Sequence, residues 1–289
     1  MDRIVNKIYE IKKVIERKSF LLVLISCLFL PLRAQEITRV YKRVDQITLS
    51  LYIKYPNKFD AKKKYPAIIF FFGGGWVGGS VEQFFPQASL LADKEIISIC
   101  AEYRVQKKHG VTPFVCLEDA KSAIRYLRKY AEELSIQENQ IVASGGSAGG
   151  HLAAATACIE RYNSLEDNVA ISCISNALIL FNPVLDNGPN GYGYERIGEE
   201  FLHFSPFYNV RKGLPPTIIF LGTNDNLISE EVMKEYREKM IEKGNRCELV
   251  LYDGQTHGFF NNKNGNDFFF YATFYEMINF LCSLGLITR

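Results

Sequence analysis

Three observations predict an α/β chain with a mostly parallel sheet of eight strands and helices on both faces. Apolar runs of strand length alternate with segments of helical periodicity along residues 66–286. The first two strand-like runs follow each other directly, which gives an antiparallel start. Glycine-rich turns leave two of the buried runs, FGGGW at residues 72–76 and SGGSAGG at residues 144–150. Ligands in open parallel sheets bind at such carboxyl ends of strands.

Each element has its own signature. Residues 38–54 read as two strands joined by a tight turn near Asp45, and QITLSLYIK at residues 46–54 alternates almost strictly, so one face is buried. Residues 57–64 form a charged loop. PAIIFFF at residues 66–72 is continuously apolar, as a strand covered on both faces must be. A helix follows around residues 81–92, then a strand at 96–103. In residues 113–134, Val115, Ala120, Ile124 and Leu127 recur at near-helical spacing with charges between them. Residues 139–143 are a strand, 148–161 a helix and 176–182 another strand. Residues 183–212 hold four of the 21 glycines and three of the 10 prolines, which argues against regular structure there. A strand (216–222), a helix (229–243), a strand (247–252) and a final helix (268–286) close the chain. Repeats and low-complexity linkers are absent.

The N-terminus reads differently. Residues 1–19 are polar and basic, residues 20–30 (FLLVLISCLFL) are apolar, and Pro31, Leu32, Arg33 and Ala34 precede polar Gln35. This pattern predicts a signal peptide over residues 1–34 and a mature domain over 35–289. The apolar run falls short of the roughly 20 residues that span a bilayer. An exported protein, periplasmic or secreted, is expected; a lipid anchor on Cys27 and an uncleaved anchor stay open as alternatives. Removing residues 1–34 takes away seven of 34 Lys/Arg and three of 32 Asp/Glu, leaving a net charge of −2. No basic patch remains for nucleic acid. Six cysteines lie beyond the leader without a C-x-x-C pair, which excludes zinc-ribbon and thioredoxin chemistry. Cys158 and Cys173 flank one loop and could pair in an oxidising compartment or stay buried thiols.

The function lies in the turns. Gly145-Gly146-Ser147-Ala148-Gly149 is G-x-S-x-G between a strand and an Ala-rich helix, the setting of a nucleophile held on a strained elbow. A serine hydroxyl needs a base. Of the four histidines, His109 precedes the serine, His151 lies on the elbow's own helix as a packing residue, and His203 falls in the irregular stretch. His257 follows the last strand and is the candidate base. Asp225 leaves the preceding strand in LGTND and is the candidate acid; Asp253, four residues before His257, is its rival. The oxyanion donors are expected from the amides of Gly74, Gly75 and Ala148, because three glycines let a backbone approach a carbonyl closely.

The order Ser147, Asp225, His257, with GGGW, GGSAGG, GTxD and HGF, resembles the α/β-hydrolase superfamily, in particular the hormone-sensitive-lipase-like esterases. The resemblance covers residue 38 to the C-terminus. It is strongest to secreted bacterial esterases that deacylate sugars and polysaccharides. It implies the α/β-hydrolase fold and a serine esterase hydrolysing short-chain esters, acetyl above all, on carbohydrates. One departure stands out: the group's oxyanion motif begins with histidine, and here that place is Phe72, so bracing is left to Phe71, Phe72 and Trp76. No large cap domain is expected, because residues 35–54 already read as strands. The short insert at 184–213 leaves the site open, with Trp76 at its mouth and Tyr192 and Tyr194 placed to stack on sugar rings. Neither metal nor organic cofactor is implied. Two other readings are a serine exopeptidase-like hydrolase and a non-catalytic binding module on the same scaffold.

Overall fold

The computed structural model describes residues 35–262 and 267–288. The expected leader at 1–34 lies outside the described residues. Eight strands form one sheet in the order β1-β2-β4-β3-β5-β6-β7-β8. β1 (Glu36–Val44) and β2 (Ile47–Lys54) form a hairpin whose turn places Asp45 at φ 51°. Aspartate tolerates that region better than most residues. β2 runs antiparallel to β4 (Ile97–Ala101). From there β3 (Tyr65–Phe71), β5 (Ile136–Gly146), β6 (Ala177–Phe181), β7 (Thr217–Gly222) and β8 (Cys247–Tyr252) all pair in parallel.

Five helices of more than one turn cover the two faces. α2 (Pro113–Lys129), α3 (Ala148–Cys158) and α4 (Glu230–Glu242) bury Ile124, Leu152 and Met233 in one core with Leu51, Ile69 and Leu180 of the sheet. α1 (Phe85–Leu91) and α5 (Phe268–Ser283) bury Ala88 and Met277 in the other, against Ile68, Phe70 and Ile179. Adjacent β3 residues therefore face opposite cores. The unbroken PAIIFF run follows, since each such side chain gains about 1.5–3 kcal/mol by leaving water. Among the described residues no helix is long and apolar enough to cross a membrane.

Several boundaries differ from the sequence reading for local reasons. α2 stops at Lys129, because the chain reverses through Ser135 at φ 57° to begin β5. β5 begins at Ile136, earlier than its apolar stretch, because Ile136 still pairs with Tyr65. α3 ends at Cys158, where Ile159 turns extended. The insert is not devoid of helix: Tyr194–Ile197 and Phe201–Phe204 each make a single turn. Gly193 and Gly198, both at positive φ, bound the first. The six described cysteines are free thiols, so Cys158 and Cys173 are unpaired and buried.

Candidate active site

β5 delivers Ser147 to the carboxyl edge of the sheet. Ser147 sits at φ 55°, ψ −120°, a region that costs about 1–3 kcal/mol and persists only where surroundings impose it. They do so here. Its amide donates to the Phe181 carbonyl at the end of β6 (2.9 Å), and the Val184 amide donates to its carbonyl (3.2 Å). Small neighbours are obligatory, since a Cβ on Gly149 would stand 2.0 Å from the Phe71 carbonyl oxygen.

Two further strand ends meet the serine. The Ser147 hydroxyl donates to His257 Nε2 at 3.0 Å, and His257 Nδ1 donates to Asp225 Oδ2 at 2.7 Å. The Asp225 carboxylate is fully buried, and its Oδ1 accepts from the amides of Leu227 (2.9 Å) and Ile228 (3.0 Å). Both oxygens are therefore committed, which fixes the carboxylate and, through it, the imidazole tautomer. Asp253 is exposed and accepts from the Thr223 hydroxyl instead, so it does not serve His257. A third group, a side-chain amide, reaches the ring: Asn182 Nδ2 lies 3.3 Å from His257 Nε2. This arrangement can lower the barrier to removing the serine proton as its oxygen bonds to an electrophilic carbon.

The loop after β3 passes beside the elbow. A Cβ on Gly73 would stand 3.3 Å from Ser147 Cβ. The Gly73 amide is taken by Gln83 Oε1 (2.7 Å), whereas those of Gly74 and Gly75 meet no protein acceptor among the described residues. Gly74 has φ 124°, which side chains rarely adopt. Ala148 opens α3, so its amide is one of the helix's unpaired N-terminal donors.

The loop is braced without a histidine. Phe72 stacks on Tyr103 with centroids 4.0 Å apart, and the Tyr103 hydroxyl donates to the Phe72 carbonyl (2.7 Å). The amides of Gln106 and Lys107 donate to the carbonyls of Trp76 and Val77. Arg196 Nη1 donates to the Gly75 carbonyl (2.7 Å). The strut beneath is held by Asp119, fully buried, which pairs with Arg104 Nε and with Lys42 Nζ at 2.8 Å each. The Asp119 carboxylate holds the Arg104 guanidinium above its ordinary pKa.

Trp76 corrects the sequence reading. It is 1% exposed and packs edge-on to His151, so it lies under the site and not at its mouth. Its indole packs among His151, Tyr192 and Phe204. Tyr192 does face the edge: its hydroxyl would lie 2.8 Å from a Cβ on Gly75. Tyr194 turns aside and donates to Glu199 (2.6 Å). His151 is fully buried, bonded through Nε2 to the Phe204 carbonyl (2.9 Å), and burial pushes its pKa down to about 3. His109 caps the Val105 amide, and His203 is exposed.

Comparisons with known proteins agree with this fold. The BD-FAE family model matches residues 51–189, and the dienelactone hydrolase family model matches residues 203–276. The native structure of esterase 2 from Thermogutta terrifontis is 42% identical, with a TM-score of 0.83 over 89% of this chain and 94% of that one. Its propionate-bound form gives 42% identity and a TM-score of 0.82, over 89% and 96%. Its paraoxon-phosphorylated form gives 42% and 0.83, over 88% and 96%. This chain belongs to the α/β-hydrolase esterases. The esterase is also similar to a probable isoprenylcysteine alpha-carbonyl methylesterase of Arabidopsis thaliana, 28% identical over 217 residues, which are 66% of this chain and 45% of that protein. It spans about half the length of the curated relatives it matches.

Four polar residues of the esterase's site carry little sequence signal. Asn182 is fully buried at φ 35° directly after β6, and its Oδ1 accepts the Gly258 amide (3.0 Å). Its place between a buried strand and Pro183 marks a turn at the active edge, the one clue available. Gln83, Asn261 and Arg196 lie in turns where polar residues are ordinary.

Proposed function

We propose that this esterase hydrolyses short-chain esters, acetyl esters first, with a carbohydrate as the alcohol, by a Ser147–His257–Asp225 acyl-enzyme mechanism. The observation that carries the reading is the continuous hydrogen-bonded line from Ser147 through His257 to Asp225. Ser147 Oγ attacks the ester carbonyl as His257 Nε2 takes its proton. The carbonyl oxygen gathers negative charge facing the amides of Gly74, Gly75 and Ala148. Engagement of Gly73 by Gln83 supports this choice, because it leaves only the next two glycine amides free. His257 then protonates the departing alkoxide. Water repeats the sequence: His257 removes its proton, the hydroxide attacks the acyl-enzyme, and a carboxylic acid leaves as Ser147 recovers its hydrogen. Asp225 keeps its charge throughout and steadies the imidazolium.

Two features support the substrate class. Space above the oxyanion loop is taken by the Tyr192 hydroxyl and by Arg196, 2.8 and 3.0 Å from where a Gly75 Cβ would stand, which shortens any group lying there. The propionate held by the Thermogutta relative is likewise short. On the acid-loop side, a cleft of about 300 Å³ is lined by Asp186, Asn190, Tyr192 and Asn226. Carboxylate and amide groups beside one aromatic ring suit a hydroxylated alcohol. An exported location, proposed from the polar-then-apolar sequence of residues 1–34, fits such a substrate.

The test is a p-nitrophenyl series from acetate to decanoate, alongside acetylated oligosaccharides and a bulky-acid methyl ester. The proposal expects the highest kcat/KM on acetate to butyrate and release of acetate from the oligosaccharides. A preference for decanoate, or for the methyl ester of a bulky acid, contradicts it.

A further inference from the structure

Ser147 stands inside a chain of amide hydrogen bonds that joins three loops distant in sequence. The Gly73 amide donates to Gln83 Oε1 (2.7 Å), and Gln83 Nε2 donates to Asn261 Oδ1 (3.0 Å). Asn261 Nδ2 donates to the Gly258 carbonyl (2.8 Å). The Gly258 amide donates to Asn182 Oδ1 (3.0 Å), and Asn182 Nδ2 reaches His257 Nε2 (3.3 Å). Gln83 follows β3, Asn182 follows β6 and Asn261 follows β8.

The polarity of this chain is determined along its whole length. A backbone amide only donates, so Gly73 orients the Gln83 oxygen toward itself and sends the Gln83 NH2 to Asn261. The Asn261 oxygen must then accept, which turns its NH2 to the Gly258 carbonyl. The Gly258 amide orients Asn182 in the same way. Asp225 holds the hydrogen on His257 Nδ1, so the single Nε2 lone pair faces the Ser147 hydroxyl at 3.0 Å, and the Asn182 NH2 lies beside it at 3.3 Å. Gln83 and Asn261 each have one assignment that satisfies both ends, and reversing either opposes like groups; Asn182 is fixed by the Gly258 amide.

We propose that Gln83, Asn261 and Asn182 are positioning residues that hold the oxyanion loop in register with the His257 loop. The inference rests on the reading of Ser147 as nucleophile and names what keeps its two supports aligned. Register is the quantity at stake. The oxyanion donors and the base act on one carbonyl carbon, and a misplacement of about 1 Å costs about 100-fold in rate. The Phe72–Tyr103 brace holds the glycine loop to β4's trailing segment, not to His257, so it leaves this relation unset. The amide chain sets it directly.

Gln83→Glu tests the link selectively. It keeps an oxygen for the Gly73 amide and turns the other toward the Asn261 oxygen, cutting the chain without releasing the loop. Asn261→Ala cuts it one link further on. With p-nitrophenyl acetate, each variant is expected to lose about 10- to 100-fold in kcat with KM changed by less than about 3-fold. The double variant is expected to be no slower than the slower single variant, because the chain is already broken. If Gln83→Glu does not fold, Asn261→Ala and Asn261→Asp carry the same comparison. Unchanged kcat in folded single variants overturns the proposal, as do losses that multiply in the double variant or a fall in activity equal to a fall in folded fraction. An inactive wild-type chain, or a Ser147→Ala variant that stays active, overturns the proposed function instead.

Discussion

The ring of Phe72 lies stacked on that of Tyr103, with centroids 4.0 Å apart and planes within 16°, and the Tyr103 hydroxyl closes back on the Phe72 carbonyl at 2.7 Å. This pair answers how the glycine loop, the proposed oxyanion loop, keeps its shape when a phenylalanine occupies the place where related esterases are expected to carry histidine. An aromatic stack supplies about 0.5–1.5 kcal/mol beyond its burial, and the hydroxyl satisfies a carbonyl that would otherwise be buried alone.

Tyr103→Phe keeps the stack and deletes only the hydroxyl. The Phe72 carbonyl is left unsatisfied, so stability is expected to fall by about 1–3 kcal/mol. Because that carbonyl adjoins Gly73, kcat is expected to fall several-fold while KM changes little. Urea unfolding and steady-state kinetics on one preparation check both. Unaltered stability would show that the hydroxyl bears no strain from the loop.

Asp225→Asn retains shape and removes charge. The amide can present its NH2 to His257 Nδ1 and so favour the wrong tautomer. A loss of about 10⁴-fold in kcat is expected, as in serine proteases with the same change. The amides of Leu227 and Ile228 still find the remaining oxygen, so the fold is expected to persist. Asp253→Asn is expected to leave kcat within about 2-fold. Equal losses in the two variants would contradict the assignment.

His151 makes stability depend on acidity. Burial lowers its folded pKa to about 3, while an unfolded histidine titrates near 6.5. Below about 6.5 the unfolded chain takes up a proton that the folded chain refuses. Stability therefore falls as pH drops from about 6.5 toward 3, by up to about 1.4 kcal/mol per pH unit. His151→Phe removes this slope. Urea midpoints of both proteins at pH 7 and pH 5 measure it; parallel declines would mean that His151 is hydrated or charged when folded.

How far the sequence spoke depended on how each residue acts. The succession of strands and the elbow were legible because periodicity and obligatory glycines are local: PAIIFF must be buried on both faces, and nothing larger than glycine fits at Gly149. Ser147, His257 and Asp225 were legible because each ends a strand at one sheet edge. The preference for Asp225 over Asp253 rests in the sequence on its place at a strand end, and the structure adds that the Asp225 carboxylate is the buried one. Trp76 reads as rim in the sequence because a lone tryptophan beside glycines looks exposed, yet its indole is buried among His151, Tyr192 and Phe204. Gln83, Asn182 and Asn261 stayed invisible because amides act through partners far along the chain, 178 residues apart for Gln83 and Asn261.

Ser147 is proposed as the nucleophile of an acyl-transfer site. Paraoxon, which phosphorylates the Thermogutta relative, tests it most directly. After exposure, peptide mass mapping is expected to find one phosphoryl adduct per chain, on Ser147, with loss of p-nitrophenyl acetate turnover in proportion. Ser147→Ala is expected to take no adduct and to hydrolyse no ester above the uncatalysed rate. An adduct on another residue, or ester turnover surviving in Ser147→Ala, would contradict the account.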